Sequence, residues 1–215
     1  SRQGNATVGK GLLQAVYTNL PPGDYTFKVM ASYLRQLLRN DLQYAPFRME
    51  GMEQDVREMM EIDTPQGKLA LQIGGTIDRL DSKGDTLRIV DYKTGGTPKT
   101  PENIEQLFTP ADNRPNYIFQ TFLYAAILCR KQSLKVAPSL LYIHRAASES
   151  YSPVIEMGAP RQPKVPVNNF AFFEDEFRER LHGLLQEIFS QEETFSQTED
   201  TRKCEYCDFR SLCKR

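Results

Sequence analysis

Two short segments, GGTIDRLD at residues 74–81 and IVDYKTGG at residues 89–96, constrain the fold more than any other part of the chain. Each combines Ile, Leu or Val with acidic residues, and a turn-forming sequence lies between them, so both are predicted to be β-strands. Side chains alternate between the two faces of a strand, so Asp91 and Lys93 project on the same side. If the two strands form an antiparallel hairpin, Asp78 joins them at one strand end.

Two carboxylates and one ammonium at a single point predict a metal-dependent site that cleaves phosphodiesters. Carboxylate oxygens are the ligands that Mg²⁺ and Mn²⁺ prefer, and a lysine can orient water or neutralise charge on a phosphate. An isolated Asp-x-Lys is more simply explained as a surface salt bridge. Here, however, Ile77 precedes Asp78 and Ile89-Val90 precedes Asp91, and a carboxylate at the end of an apolar strand is costly unless it is used.

The hydrophobic pattern along the chain predicts a central mixed sheet flanked by helices, which is an α/β fold. The predicted helices span residues 7–20, 24–40, 116–131 and 170–190. The predicted strands span residues 55–62, 68–80, 86–91, 139–144 and 154–157, the first and last on weak signals. We predict one domain over residues 1–200, followed by a cysteine-rich basic tail over residues 201–215.

Composition excludes some classes of protein and leaves others open. The N-terminus shows no secretory signal, and no apolar run reaches the ~18 residues of a membrane helix, so we expect a cytoplasmic protein without a membrane partner. The net charge is −1, so nucleic-acid binding requires a local basic patch. The tail is the best candidate, although a merely solvated terminus explains its charge equally well: Arg202, Lys203, Arg210, Lys214 and Arg215.

Three of the four cysteines, Cys204, Cys207 and Cys213, lie within ten residues of the tail at a spacing typical of metal ligands. Structural zinc and a [4Fe–4S] cluster both normally take four protein ligands, so one ligand is missing from the tail. Cys129 is a formal candidate, but it lies on an apolar helix, where a buried free thiol is the commoner outcome. A zinc-ribbon binding protein therefore stays open.

Three motifs in order resemble the signature of RecB-type nucleases in the PD-(D/E)XK superfamily. They are Gly75-x-x-Asp78-Arg79-x-Asp81, Asp91-Tyr92-Lys93-Thr94-Gly95 and Gln120-x-x-x-Tyr124. The resemblance covers about residues 46–130, and the tail is similar to the iron–sulfur end of AddB-type nucleases. It implies a restriction-endonuclease-like fold and a metal-dependent nuclease that acts on DNA.

The resemblance also implies residue roles. Asp78 and Asp91 would bind Mg²⁺ or Mn²⁺ with the carbonyl of Tyr92, and Lys93 would position the attacking water. Gln120 and Tyr124 are four residues apart on one helix face and could reach the site or the DNA backbone; the alternative for Tyr124 is a core position.

Arg79 and Asp81 have a less certain role, because a phosphate contact competes with a plain salt bridge at an exposed strand end. The family places a metal-binding histidine and a fourth cysteine upstream of these motifs. Here His144 and His182 both lie downstream and are predicted to be structural. The chain does not begin with Met, so we expect a piece of a longer protein whose preceding part holds both residues, and this piece to cleave weakly.

The intact protein is expected to be a DNA exonuclease linked to a helicase in double-strand-break repair, with a [4Fe–4S] cluster held by the tail. The alternative is a catalytically inactive DNA-binding or scaffold module of a helicase–nuclease complex.

Overall fold

The computed structural model describes residues 25–111, 113–146, 148, 150–189, 196–199 and 201–214. The helix predicted over residues 7–20 lies outside the described residues. The helices are α1 (Tyr25–Tyr44), α2 (Glu105–Phe108), α3 (Asn116–Cys129), α4 (Glu174–Phe189) and α5 (Arg210–Cys213). The strands are β1 (Arg48–Thr64), β2 (Gly67–Lys83), β3 (Thr86–Lys93), β4 (Lys135–Tyr142), β5 (Glu156–Met157) and β6 (Val165–Pro166).

Four of these strands form one mixed sheet in the order β1-β2-β3-β4. The first three strands are antiparallel, and β4 lies parallel to β3 after a crossover through α3. In the β2–β3 hairpin Leu80 lies opposite Ile89, and Gly84 provides the left-handed turn with φ of 62°. The predicted hairpin and the restriction-endonuclease-like α/β fold are confirmed. None of the described helices combines the length and apolarity needed to cross a membrane.

All four strands of the main sheet differ from their predicted bounds, β2 and β3 by one to three residues at an end and β1 and β4 by more. β1 begins at Arg48, well before residue 55, because its exposed side chains, including Met52 and Met59, obscure the two-residue period. β4 begins at Lys135 and ends at Tyr142 rather than spanning residues 139–144. Pro138 obscured its start, since proline lacks a ladder N–H; it is accommodated because β4 is an edge strand of the four-stranded sheet.

Several helix ends also differ from the prediction. The helix predicted over residues 170–190 is divided into a 3₁₀ turn at Phe170–Phe172 and helix α4. Helix α1 continues to Tyr44, four residues beyond the predicted end. Within the weak strand predicted over residues 154–157, Val154 forms an isolated bridge to Ser139, and Glu156–Met157 pairs with β6.

The core lies mainly between the sheet and helices α3 and α4. Phe122, Phe170 and Phe177 are fully buried there and contact one another edge-on, with centroids 4.9–6.2 Å apart. Burial of each such ring contributes about 1.5–3 kcal/mol. A smaller cluster around Val90 and Leu141 packs against side chains of α1. Both faces of β3 are therefore covered, which fixes its position in the sheet.

A buried cluster of charges joins α1 to β2 and β3. Arg88 donates two hydrogen bonds to Asp81, at 2.9 and 2.8 Å, and Arg79 forms an ion pair with the same carboxylate at 2.8 Å. Arg79 also donates from Nη1 to both carboxylate oxygens of Asp41, at 2.9 Å. Of the two alternatives for Arg79 and Asp81, the structure shows the salt bridge, but the expected exposed strand end was wrong: their side chains are 3% and 0% exposed.

Removal of the shared carboxylate should destabilise the fold strongly. We expect Asp81→Ala to lower the free energy of unfolding by about 3–5 kcal/mol, because two guanidinium groups would lose a buried partner. Urea unfolding followed by circular dichroism measures this change. Asp63→Ala, at an exposed position of β1, is the matched control and should stay within about 0.5 kcal/mol. Equal effects of the two substitutions would contradict a structural role for the cluster.

Candidate active site

The predicted acidic residues meet where β2 and β3 run side by side. Oδ2 of Asp78 accepts a hydrogen bond from the backbone N–H of Tyr92 at 2.8 Å, so its carboxylate lies against β3 between Asp91 and Lys93. The β1–β2 register is regular here, since Met52 lies opposite Arg79 and Gln54 opposite Ile77, and its shift lies further along, between Met49 and Gly51. The backbone N–H of Tyr92 thus holds Asp78 next to Asp91 and Lys93.

Asp91 is a buried carboxylate with an ion-pair partner. Nζ of Lys93 lies 2.6 Å from its Oδ2, yet this oxygen accepts no hydrogen bond of good geometry among the described residues. Burial raises the pKa of Asp91, the neighbouring charge of Asp78 raises it further, and Lys93 opposes both effects. A cation between the two carboxylates would relieve this repulsion.

Lys93 is held between an acid and an aromatic ring. Its ammonium lies 4.2 Å from the ring centroid of Tyr117 and within ion-pair distance of Asp91. Tyr117 follows the first residue of α3 and is 46% exposed. The sequence analysis missed Tyr117; its signal was an aromatic residue in the first turn of a helix that follows the Asp-x-Lys motif.

The donor set fits a hard divalent cation. Asp78 and Asp91 offer carboxylate oxygens, and the unsatisfied Oδ2 of Asp91 retains lone-pair capacity. Among the described residues, however, no three His, Cys, Asp or Glu side chains form a group that could hold a metal ion. The carbonyl of Tyr92 as a further ligand stays a prediction.

Gln120 and Tyr124 lie on α3 and contact each other. Nε2 of Gln120 donates to the hydroxyl of Tyr124 at 2.9 Å. Tyr124 is buried in the main core, which is the alternative position considered for it in the sequence. Its ring covers Gly75. A Cβ atom at Gly75 would lie 2.6 Å from the Tyr124 hydroxyl, so glycine at this position permits α3 to approach β2 three residues before Asp78.

The tail cysteines lie apart from these residues in sequence and are free thiols. Cys204 ends a 3₁₀ turn, Cys207 is exposed, and Cys213 ends α5. Cys129 is half-buried at the end of α3, where burial, with a smaller contribution from Glu174, raises the pKa of its thiol to about 11. Metal binding by the tail stays a prediction.

The histidines occupy different environments. His144 is exposed in the 3₁₀ turn that follows β4, with its ring edge-on to Tyr142 at a centroid distance of 6.1 Å. His182 is half-buried on α4. The structural role of both histidines stays a prediction.

The contact between Gly75 and Tyr124 predicts a non-additive pair of substitutions. Gly75→Ala should lower the free energy of unfolding by about 1–3 kcal/mol, because the added methyl group overlaps the tyrosine ring. In a Tyr124→Ala background the same substitution should be nearly neutral, giving a coupling of about 0.5–3 kcal/mol in a double-mutant cycle. Gly84→Ala, which meets nothing within 4 Å but has φ of 62°, controls for backbone strain alone. Additive effects of Gly75→Ala and Tyr124→Ala would contradict the close approach.

Thiol reactivity should separate Cys129 from the tail. At pH 8 we expect iodoacetamide to modify Cys207 well before Cys129, because Cys207 is exposed and a thiol of pKa about 11 carries little reactive thiolate. Peptide mapping by mass spectrometry measures both rates, and the Cys129 rate should rise as the pH approaches 11. Equal rates at pH 8 would show that the Cys129 thiol is not shielded by α3 and α4.

Comparison with known proteins agrees with this architecture. The family model described as the PD-(D/E)XK nuclease superfamily matches residues 22–214, which include all three motifs and the tail cysteines. No curated protein matches the chain.

Proposed function

Because this chain belongs to the PD-(D/E)XK nuclease superfamily, we propose that it is a deoxyribonuclease whose active site comprises Asp78, Asp91 and Lys93. Members of the superfamily are generally nucleases and typically use divalent metals such as Mg²⁺. The observation that carries the proposal is the ion pair of Lys93 with Asp91, 2.6 Å apart, next to a carboxylate that is bound to the backbone N–H of Tyr92.

Asp78 and Asp91 would hold Mg²⁺ or Mn²⁺, and the carbonyl of Tyr92 is the proposed third ligand. When bound, the ion would polarise a phosphodiester oxygen and favour attack by water. Lys93 can donate a hydrogen bond to that water or to a non-bridging phosphate oxygen, where negative charge increases in the transition state. The Tyr117 ring also contacts the ammonium, so Lys93 is positioned before substrate binds.

Gln120 and Tyr124 are proposed to support the reaction by position. Their mutual hydrogen bond and the contact of Tyr124 with Gly75 hold α3 against β2 close to Asp78 in sequence. Gln120 is half-buried, and its amide oxygen can accept a hydrogen bond from water or its nitrogen can turn to a phosphate. Substitution of Gln120 should thus affect substrate binding more than folding, whereas substitution of Tyr124, which is buried in the main core, should also destabilise the fold.

The finer assignment rests on the motif resemblance. We propose a RecB- or AddB-type exonuclease domain over residues 1–200 that acts with a helicase in double-strand-break repair. Cys204, Cys207 and Cys213 of the tail, residues 201–215, would contribute three ligands to a [4Fe–4S] cluster in the intact protein. The second candidate is a catalytically inactive DNA-binding or scaffold module of the same kind of complex.

Substitution of the lysine tests the nuclease proposal. We expect Lys93→Ala to slow the degradation of linear DNA in Mn²⁺ by on the order of 100- to 1,000-fold, because a single preorganised donor to a developing charge has about that effect. Degradation is measured by gel electrophoresis and by release of acid-soluble nucleotides. Lys68→Ala, which removes an exposed ion pair with Glu61, is the matched control and should leave the rate unchanged.

A metal-binding measurement tests the proposed site without relying on DNA degradation. Electron paramagnetic resonance of free Mn²⁺ should show at least tenfold weaker binding for Asp91→Asn than for Lys68→Ala, because the substitution removes one anionic ligand. DNA degradation that survives Lys93→Ala, or Mn²⁺ binding that is unaffected by Asp91→Asn, would contradict the proposed site. Metal binding and DNA binding without any degradation would favour the inactive module.

A further inference from the structure

Two cavities adjoin the candidate site on the side of β4. The smaller, of about 340 Å³, is lined in part by Gly96, Tyr117 and Arg114. The larger, of about 620 Å³, extends past Arg145 and Tyr151. Both are lined by Lys99 and Tyr142, so they meet along these two side chains. Since Tyr117 contacts Lys93, the combined groove begins at the proposed catalytic lysine.

The groove is basic although the chain as a whole is not. Lys99, Arg114 and Arg145 line it together with His144, whereas Glu156 is the carboxylate among the described lining residues. The whole chain carries a net charge of −1. A local excess of cations beside a phosphodiester-cleaving site matches a polyanionic strand.

The cation at the junction is oriented by its own hydrogen bonds. Nζ of Lys99 donates to the backbone carbonyls of Asn113 and Arg114, at 2.7 and 3.3 Å. These contacts fix the ammonium at the groove wall and engage two of its three N–H donors, which leaves the third for a ligand. Ser148, Ser150 and Ser152 add hydroxyl groups to the lining of the larger cavity.

Tyr117 supplies an aromatic surface at the end of the groove nearest Lys93. Tyr117 is 46% exposed although it lies in the first turn of a helix whose following residues are largely buried. An aromatic ring next to a basic groove is the arrangement by which proteins bind unpaired nucleotides, since every base has a face that can stack. In a duplex the bases are paired and stacked internally, so they are not available to this ring.

We propose that the groove binds one unpaired strand of DNA, with phosphates against Lys99 and Arg145 and a base stacked on Tyr117. This inference rests on the proposed nuclease function, because the bound DNA strand would lead to the proposed catalytic residue Lys93. The substrate of the site is then single-stranded DNA or the unpaired end of a duplex.

Binding without turnover tests the groove. Fluorescence anisotropy in EDTA compares a labelled oligothymidine with a blunt duplex of the same length, and we expect the chain to bind the single strand more tightly. Arg145→Gln should reduce the slope of log K against log salt by about 0.7, the value for one phosphate contact on a single strand. Arg39→Gln, an exposed cation on α1 outside the groove lining, should leave slope and affinity unchanged.

The stacking contact has its own pair of variants. Tyr117→Ala should weaken single-strand binding on the order of tenfold, whereas Tyr117→Phe should retain it, because stacking needs the ring and not the hydroxyl. Circular dichroism of each variant confirms that the fold is kept. Equal affinity for single strand and duplex would overturn the proposal. So would single-strand affinities of Arg145→Gln and Tyr117→Ala that equal that of the control Arg39→Gln.

DNA degradation in Mn²⁺, measured on the same samples, separates this inference from the proposed function. If degradation depends on Lys93 but single-strand binding is unchanged by substitution of Arg145 and Tyr117, the proposed groove is overturned and the nuclease proposal is not. Groove-dependent binding without degradation by the unsubstituted chain would support the groove and count against the nuclease.

Discussion

The hydrogen bond from the Tyr92 backbone N–H to the Asp78 carboxylate, at 2.8 Å, joins two strands at the point where the candidate site lies. The bond uses a backbone donor of β3, so the position of Asp78 depends on the hairpin rather than on a flexible side-chain partner. It places a second negative charge beside buried Asp91, whose pKa is raised chiefly by burial. The site thus concentrates like charges that the fold alone does not neutralise.

Support for this arrangement comes from both sides of β3. On one side Arg79 donates to the Tyr92 hydroxyl at 3.1 Å and to Asp41 of α1, so the buried charge cluster reaches the residue that binds Asp78. On the other side α3 contributes Tyr117 to Lys93 and Tyr124 to Gly75. A rigid surround of this kind is what a preorganised site requires, because the charged groups then need no rearrangement when substrate binds.

Local sequence patterns predicted the central part of the fold correctly. The β2–β3 hairpin follows from alternating apolar residues around a glycine turn, and α3 follows from a continuous apolar run with helical propensity. The sequence pattern did not predict the structure correctly where a residue type occurs in two different environments. Pro138 weakened the signal for a strand that an edge position tolerates, and Arg79 was expected at the surface because charge alone does not reveal that α1 covers it.

The sequence by itself determined the chemical groups and their order: two carboxylates, a lysine two residues after the second, and a hairpin that could bring them together. The reason is that strand alternation and turn chemistry act over a few residues. Tertiary structure decided what surrounds them, namely the Tyr117 ring against Lys93, the ring of Tyr124 over Gly75 and the basic groove beside β4. These contacts join segments distant in the chain, and their geometry depends on how helices pack on the sheet, which no local pattern encodes.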